Sequence, residues 1–205
     1  MLHKQRLIRQ KRSSFKQDSA SVADLTTDFQ YDNILWSGNT LRFPIRIIQG
    51  GNMIRIMFVC HGNICRSPMA EFIFKDLIKK QGREHEFTVC SSATSTEEIW
   101  GDIGNPVYPP AKEELRKHGI SCEGKRAVQL KKSDYDKYDL FVAMDSMNIR
   151  NIGRIFGKDP DCKVHKLMDY TDRKGDVADP WYSGRFDVAY RDIYDGCVGL
   201  LKRYE

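Results

Sequence analysis

A cysteine and an arginine stand six positions apart in the segment Cys60 to Pro68, which reads C-H-G-N-I-C-R-S-P. A loop that leaves a strand, turns where a positive φ is tolerated and then enters a helix can aim successive backbone N–H groups at one point. The helix N-terminus adds about half a positive charge, and a guanidinium can hold two oxygens of a phosphate. The segment therefore predicts a site for a phosphate dianion. The residues expected to surround the anion are His61, Gly62, Asn63, Ile64, Cys65 and Arg66.

The same local field favours the thiolate of Cys60, the first residue of the loop. A thiolate at a phosphate site is a nucleophile, and the Ser67 hydroxyl can donate a hydrogen bond to its sulfur. The alternative is a small core residue at a strand end, but an arginine is a costly neighbour for an apolar pocket. A cysteine and an arginine at this spacing arise by chance about half the time in a chain of this composition. The prediction therefore depends on the strand–loop–helix context.

Hydrophobic and turn patterns provide that context. They predict strands at 54–59, 87–91, 140–144 and 164–167, and helices at 68–80, 109–118, 146–156 and 186–204. Pro68 is placed at a first helical position, Gly119 just past a helix end, and Asp145 or Ser146 at a helix N-cap.

The alternation of strands and helices predicts an α/β fold with a parallel sheet and right-handed crossovers. Ligands of such sheets bind outside the carboxyl ends of the strands, at the point where the strand order reverses. The loop after the first strand is expected at that place.

Composition indicates a globular protein whose charge excess is local. The chain has 205 residues, of which 40% are hydrophobic and 30% charged, and its formal charge is +5. Residues 1–52 hold eight Lys and Arg against four Asp, which gives +4 and leaves 25 against 24, or +1, for residues 53–205. No apolar run approaches the ~18 residues of a membrane helix. The composition argues against an integral membrane protein, and no membrane partner is expected.

Residues 1–52 show no sustained helical or strand period and are predicted to form a mostly disordered basic extension before a domain at 53–205. Four aspartates between Asp18 and Asp32 argue against a mitochondrial presequence. Alternatively, translation starts at Met53, because Gln49-Gly50-Gly51 can be encoded by a ribosome-binding sequence. A nucleic-acid partner is not expected, since no helix-turn-helix, zinc-finger or aromatic–basic signature accompanies the basic run.

Six cysteines follow an N-terminus that lacks the apolar core of a signal peptide. Reduced thiols and a cytoplasmic location are therefore expected. No cysteine or histidine group has the spacing of a structural zinc site. Neither a metal nor another cofactor is expected, because an arginine and loop amides can neutralise a phosphate without one.

The segment Val59 to Pro68 matches the motif V-C-x-G-N-I-C-R-S-P, and through it residues 53–205 resemble the low-molecular-weight protein tyrosine phosphatases. Further matching motifs are V-C-S-S-A-T-S at 89–95, G-N-P at 104–106, R-K-H-G-I at 116–120, M-D at 144–145 and D-P-W-Y at 179–182. The resemblance implies a three-layer α/β sandwich around a four-stranded parallel sheet, of the flavodoxin-like type. It also implies a cysteine-dependent phosphatase that hydrolyses phosphotyrosine and aryl phosphate monoesters.

By position in the family motifs, Cys60 is the nucleophile, Arg66 the phosphate clamp and Asp179 the general acid. The need for an acid also follows from chemistry, because the leaving oxygen must gain a proton and the Cys60 loop contains no carboxylate. The resemblance implies a phosphorylated cysteine as intermediate and no metal. The residues expected to hold the loop in shape are Asn63, Ser67, Ser91 and His118.

Aromatic residues near these motifs predict the walls of a substrate pocket: Trp100, Trp181 and Tyr182. The family more often has tyrosine at the position of Trp181, and residues 96–103 form a longer segment than in typical members. Cys65 has two interpretations. The family resemblance implies a reversible disulfide with Cys60 that protects the nucleophile, and the alternative is simple packing.

Several alternatives stay open at this stage. Protein arginine phosphatases resemble the same fold but typically carry threonine where Ile64 stands, so Ile64 favours phosphotyrosine. Arsenate reductases relay a disulfide through further cysteines, and Cys162 and Cys197 lie too far apart in sequence to form such a pair. A non-catalytic phosphate-binding module would not need Cys60, Arg66 and Asp179 together. Phosphotyrosyl proteins, free phosphotyrosine and small aryl phosphates are all candidate substrates, and a monomer or weak homodimer is expected.

Overall fold

A computed structural model describes residues 35–36, 39–40 and 53–205 of the chain. Within the N-terminal segment, Leu35–Trp36 (β1) pairs antiparallel with Asn39–Thr40 (β2). The prediction of disorder for the other residues of 1–52 lies outside the described residues.

Alternating strands and helices make up the rest of the described chain. The strands are β3 (Ile54–Cys60), β4 (Phe87–Ala93), β5 (Ile99–Trp100), β6 (Ile103–Gly104), β7 (Leu140–Ala143) and β8 (Val164–Lys166). The helices are α1 (Arg66–Lys80), α2 (Pro109–Lys117), α3 (Ser146–Phe156), α4 (Pro180–Ser183) and α5 (Phe186–Lys202). In the described ranges, no helix is long and apolar enough to cross a membrane.

Four strands form one parallel sheet in the order β4-β3-β7-β8. The chain moves from β3 to β4 on one side and then crosses to β7 on the other. Ile56 lies between Val89 and Leu140 in the register of the sheet. The strand order therefore reverses at β3, and the loop after Cys60 emerges at the reversal point, as the sequence predicts.

Alternate residues of β3 pack against different helices, which gives the fold its three layers. Ile56 and Phe58 belong to a core shared with α1, α2 and α5, whereas Met57 and Val59 belong to a second core shared with α3. Cys60 is two residues after Phe58, so it lies on the same face of β3, at the end of the larger core. The predicted α/β sandwich with a four-stranded parallel sheet is confirmed.

Element boundaries differ from the sequence prediction in a few places. Helix α1 begins at Arg66, so Pro68 is its third residue rather than its first. Proline is tolerated there because the first four N–H groups of a helix have no partner within the helix. Asp145 is the N-cap of α3 and accepts the N–H of Asn148 at 2.6 Å. The β5–β6 hairpin and the short helix α4 were not predicted.

Candidate active site

Cys60 lies at the carboxyl end of β3, and its side chain is buried. Its Sγ is 3.0 Å from Ser67 Oγ, and it accepts the backbone N–H of Asn63 at 3.3 Å. Two polar groups of one short loop therefore contact the sulfur, and either Cys60 or Ser67 can be the donor in the bond between them. Hydrogen bonds of this kind stabilise the anionic form of an acceptor more than its neutral form.

The turn of the loop depends on Asn63. Its φ is 56°, in the left-handed region that asparagine tolerates better than most residues. Its side-chain amide donates to Ser67 Oγ and to Ser91 Oγ, both at 2.8 Å, and its Oδ1 accepts the N–H of Val128 at 3.0 Å. The predicted positive φ thus falls on Asn63. Gly62 serves a close approach instead, because a Cβ there would lie 2.9 Å from the Glu98 side chain.

Carbonyl groups of the loop are bound to the surrounding backbone. The oxygen of Cys60 accepts from Thr94 N–H and that of His61 from Ser95 N–H, each at 2.9 Å. The oxygen of Ile64 accepts from Tyr108 N–H at 2.8 Å. A loop whose carbonyls point away from its centre can direct its amides inward, which is the arrangement an anion requires.

A chain of polar contacts continues from the loop into the molecule, and the sequence analysis missed this part. Ser91 Oγ donates to Glu71 Oε2 at 2.6 Å. The same carboxylate oxygen is 3.1 Å from Lys125 Nζ, which also donates to the carbonyl of Ser91 at 3.1 Å. Glu71 lies on α1 and is buried. The available sequence signal was a single acidic residue in the mostly apolar stretch 68–74 at the start of α1, because a charged residue that becomes buried needs a partner.

Arg66 holds two carboxylates beside the Cys60 loop. Its Nη1 donates to Asp145 Oδ2 and its Nη2 to Asp179 Oδ2, both at 2.7 Å. The guanidinium side chain is only 5% exposed, so these charge-assisted bonds lie largely out of water. Burial opposes the charged form, but the negative groups of Cys60, Asp179 and Asp145 outweigh burial and raise the pKa of Arg66.

Asp145 is the residue that orients Arg66 from the side of β7. Its Oδ1 caps α3 while its Oδ2 holds the guanidinium. The sequence predicted Asp145 only as one of two candidate caps. A cap directly after a strand of a parallel sheet lies at the edge where ligands bind, and this position was the signal for a second role.

Asp179 lies immediately before α4 and accepts the N–H of Trp181 at 3.0 Å through Oδ1. Its side chain is 34% exposed, in contrast to the guanidinium that it contacts. The structure thus brings Asp179 to Arg66 across 113 residues of sequence. A carboxyl group that is partly open to solvent can exchange protons with water, as an acid that acts in turn as a base must do.

The structure places His118 outside the network of contacts around the Cys60 loop in which it was predicted. Its ring stacks on Tyr190 at 3.7 Å between ring centroids, and its Nε2 lies 3.5 Å from Glu114. These contacts join α2 to α5 rather than to the loop. The side chains of Glu71 and Lys125 contact Ser91 instead.

The predicted pocket aromatics differ in their surroundings. Trp181 packs against Tyr108 at 5.2 Å between ring centroids, and the backbone of Tyr108 is bonded to Ile64 of the loop. Trp100 lies on the β5–β6 hairpin with 74% of its surface exposed, and Tyr182 is 88% exposed. The fold thus links Trp181 to the loop through Tyr108, which the sequence analysis missed.

Cys65 and His61 occupy opposite sides of the loop. Cys65 is buried, and this burial, together with the charge of Cys60, raises its pKa to about 12. His61 is exposed, and its Nε2 lies 2.9 Å from Glu97 in the segment before the hairpin. Cys60 and Cys65 are both free thiols in this structure.

Residues 55–205 match the family model described as low molecular weight phosphotyrosine protein phosphatase. Among curated proteins, the low molecular weight protein-tyrosine-phosphatase YfkJ of Bacillus subtilis is 40% identical over 151 residues, which cover 73% of this chain and 94% of YfkJ. The low molecular weight phosphotyrosine protein phosphatase of Gallus gallus is 34% identical over 157 residues, covering 75% of this chain and 95% of that protein.

Solved structures give a similar result. The crystal structure of YfkJ from Bacillus subtilis aligns with a TM-score of 0.68 and covers 74% of this chain and 94% of its own. A structure of the arginine phosphatase YwlE with a phosphorylated active-site serine aligns with a TM-score of 0.62 at 29% identity, covering 73% of this chain and 94% of its own. The resemblance covers the part of the chain that carries the loop and the two carboxylates.

Proposed function

Because the chain belongs to the low-molecular-weight phosphotyrosine protein phosphatase family, it is a protein tyrosine phosphatase, and we propose that Cys60, Arg66 and Asp179 carry out its reaction. The observation that supports these roles is the buried guanidinium of Arg66, which shares a loop with the buried thiol of Cys60 and binds the carboxylate of Asp179. The proposed phosphate-binding cation therefore lies in the same loop as the proposed nucleophile and in direct contact with the proposed acid.

In the first step the Cys60 thiolate attacks phosphorus in line with the leaving oxygen. The sulfur–phosphorus bond forms as the bond from phosphorus to the phenolic oxygen breaks. Protonated Asp179 gives its proton to that oxygen, so that tyrosine leaves as a neutral phenol. The Ser67 hydroxyl and the Asn63 N–H, which contact the sulfur, stabilise its negative charge before attack.

In the second step a water molecule attacks the phosphorus of the phosphorylated cysteine. The Asp179 carboxylate takes a proton from this water, the sulfur–phosphorus bond breaks, and inorganic phosphate and the Cys60 thiolate are released. Asp179 therefore acts as acid and then as base. Its partial exposure suits this exchange of roles.

Substrate phosphate and Asp179 compete for the same guanidinium. Arg66 holds Asp145 through Nη1 and Asp179 through Nη2. A bound phosphate dianion takes the place of the Asp179 carboxylate, which is then free to bind a proton and face the leaving oxygen. Asp145 keeps its contact and fixes the plane of the guanidinium. The loop amides and Arg66 then neutralise the charge that develops on the phosphoryl oxygens.

Steady-state hydrolysis of a phosphotyrosine peptide and a phosphoarginine peptide, in the presence of a chelator, tests this assignment. We expect turnover of phosphotyrosine to vanish in Cys60→Ser and to fall about 10²–10⁴-fold in Asp179→Ala, the usual range for a positioned general acid. Full activity of Cys60→Ser would overturn the assignment of the nucleophile. No turnover of either peptide by the wild-type protein would favour a reductase or a phosphate-binding module.

Phosphoarginine is the second candidate substrate, because the arginine phosphatase YwlE has the same fold at 29% identity. Ile64, a buried apolar residue of the loop, favours phosphotyrosine. We expect the ratio of kcat/KM values to favour the phosphotyrosine peptide, and a preference for phosphoarginine would show that Ile64 does not set the choice.

Trp100, Trp181 and Tyr182 are proposed to contact the part of the substrate beyond the phosphate. Their exposed rings offer flat apolar surface to a phenyl ring or a peptide. Replacing Trp100 with alanine is expected to raise KM for a phosphotyrosine peptide a few-fold and to leave KM for a small aryl phosphate unchanged. If the KM of each substrate is the same in the variant as in wild type, Trp100 does not contact the substrate.

A protective disulfide between Cys60 and Cys65 is also proposed. After peroxide converts Cys60 to a sulfenic acid, condensation with the Cys65 thiol forms the disulfide and releases water, and two thiols of a reductant restore both residues. We expect peroxide-treated wild type to regain activity in dithiothreitol and Cys65→Ser to recover poorly. Equal recovery of the two would leave Cys65 with a packing role only.

Residues 53–205 are proposed to be sufficient for activity, since the family match begins at residue 55. A chain beginning at Met53 should keep the full activity and melting temperature, and a clear loss in either would show that the preceding segment contributes.

A monomer or weak homodimer is expected, and sedimentation velocity tests it. The proposed cytoplasmic location predicts six free thiols per chain in freshly isolated, denatured protein, and blocked thiols would contradict it.

A further inference from the structure

Three consecutive residues attach the segment before α4 to the rest of the molecule. Val177 donates its N–H to the carbonyl of Met144, at the end of β7, at 2.9 Å. Ala178 donates its N–H to Asp192 Oδ2 at 3.3 Å. Asp179 is held by the guanidinium described above. Of the first two bonds, the one at Ala178 depends on a side chain, so a single substitution can remove it.

Asp192 lies on α5 and is buried, with 8% of its surface exposed. Its Oδ1 accepts from Arg173 Nη1 at 3.0 Å, while Arg173 Nη2 donates to Asp195 Oδ2 at 2.6 Å. Asp195 is half exposed and holds the same arginine from the outside. Asp192 therefore differs from Asp195 in one relevant contact, the hydrogen bond that it accepts from the N–H of Ala178.

We propose that Asp192 is a positioning residue for the general acid, an inference that rests on the proposed role of Asp179. The N–H of Ala178 belongs to the peptide unit between Val177 and Ala178, so the Asp192 carboxylate holds the backbone one residue before Asp179 and thereby limits where the acid side chain can extend. An acid must lie within about 3 Å of the oxygen that it protonates. A displacement of about 1 Å can cost a factor of about 10² in rate.

The position of Asp192 makes its effect selective. Its described bonds go to Arg173 and Ala178, whereas the Cys60 sulfur is bonded within its own loop. Loss of the Asp192 bond should therefore weaken protonation of the leaving group and leave phosphate binding intact. Phenols that leave easily as anions need little protonation, whereas tyrosine, with a pKa of about 10, needs it most.

The test compares Asp192→Asn with Asp195→Asn in the full chain, and uses Asp179→Ala as the reference. In Asp192→Asn the amide offers one oxygen to two donors, Arg173 and Ala178. The charged guanidinium is the stronger donor and keeps that oxygen, so the Ala178 N–H loses its acceptor. The kcat/KM values are measured for aryl phosphates from dinitrophenyl phosphate to phosphotyrosine, together with the inhibition constant of inorganic phosphate.

We expect kcat/KM of Asp192→Asn to fall about tenfold for phosphotyrosine and to change little for dinitrophenyl phosphate. Asp179→Ala should show the same pattern with a larger fall, and Asp195→Asn should match wild type for both substrates. The inhibition constant of phosphate should stay within about twofold of wild type in Asp192→Asn, as expected if the loop and Arg66 are undisturbed.

Equal behaviour of Asp192→Asn and Asp195→Asn, with Asp179→Ala showing the selective fall, would overturn the role of Asp192 alone. A uniform loss on all substrates, with weaker phosphate binding, would also overturn it, because that result indicates general damage to the site. If Asp179→Ala itself lacks the selective fall, the proposed acid is wrong and the inference fails with it. Asp192→Ala, which removes both oxygens without burying an amide, serves as the second variant if Asp192→Asn does not fold.

Discussion

Two segments meet at Arg66, and they are held in place by different kinds of interaction. Residues 60–67 are buried except for His61, and, apart from those of Arg66 and His61, their bonds involve backbone groups and neutral side chains such as Asn63 and Ser67. Residues 171–179 are mostly exposed. Charged side chains hold them, such as Lys166 on Asp176 at 3.0 Å.

The difference indicates how each segment reaches its geometry. Hydrogen bonds among buried neutral groups are costly to break and are not screened by salt, so the phosphate loop is ordered before substrate binds. Exposed ion pairs are individually weak and are screened by salt. We therefore expect substitutions in residues 60–67 to cause large losses of activity. Substitutions that affect residues 171–179, the acid-bearing segment, should cause smaller losses.

The strongest test of this comparison is Arg66→Lys, at the point where the two segments meet. A lysine keeps the charge but cannot bind two phosphate oxygens and the Asp145 carboxylate in one plane. We expect kcat/KM for a phosphotyrosine peptide to fall about 10²–10³-fold, the usual effect of losing a transition-state donor. A loss below tenfold would indicate that charge alone, rather than the fork geometry, is what the site requires.

Asn63→Ala tests the ordering of the phosphate loop. The variant loses three side-chain bonds and leaves an alanine at a φ of 56°. We expect the free energy of unfolding to fall by about 2–4 kcal/mol and kcat/KM to fall about 10–100-fold.

The matched control for this variant is Asn63→Gly, which accepts the positive φ but makes none of the side-chain bonds. We expect Asn63→Gly to regain part of the stability, about 1 kcal/mol, without the activity. Wild-type activity in Asn63→Gly would mean that only the backbone turn matters at this position.

Lys166→Met tests the acid-bearing segment. Lys166 Nζ bonds to Asp176 Oδ1 and to the carbonyl of Gly175, both at 3.0 Å. We expect kcat/KM to fall about two- to fivefold, since an exposed ion pair of this kind contributes about 1 kcal/mol or less. High salt should lower kcat/KM of the wild type but should not lower kcat/KM of Lys166→Met. Equal salt responses would contradict the proposed dependence on charge.

The same variant has a predictable pH dependence. Burial opposes the charged form of Asp176, but hydrogen bonds from Lys166 and Ser146 lower the pKa of Asp176. A pKa that is lowered by folding stabilises the folded state at pH values above the ordinary pKa of 3.8. This stabilisation is lost as the pH falls through the folded-state pKa. The difference in melting temperature between wild type and Lys166→Met should therefore be present at pH 6 and shrink as the pH drops below about 4.

Cys65→Ser is expected to have the smallest effect on the reaction. Burial raises the pKa of Cys65 to about 12, so Cys65 is a neutral thiol throughout the working range of the enzyme. The pH profile of kcat/KM between pH 5 and 8 should match that of wild type, as measured with a small aryl phosphate. A shift of either limb of the profile would mean that the two loop cysteines titrate together.

Most of the fold could be predicted from the sequence because its signals are local. Strand β3 is an apolar run that only Arg55 interrupts, and the order of strands and helices limits the sheet to a few topologies. Boundaries moved by a few residues, as at the start of α1, because caps and turns tolerate several positions. The β5–β6 hairpin has only two residues in each strand, which is too short for a period to be visible.

By itself, the sequence determined the phosphate loop, because Cys60, Asn63 and Arg66 lie within seven residues and their geometry follows from one strand, one turn and one helix start. It also determined Asp179, but only through resemblance to a family motif. The tertiary structure alone decided which distant groups contact Arg66 and Ser91, namely Asp145 and Glu71 with Lys125, and that Asp192 accepts the N–H of Ala178 beside Asp179. It also placed His118 against Tyr190 rather than among these groups. The physical reason is that these contacts join residues far apart in the chain, and only the packing of the helices on the sheet sets which side chains meet.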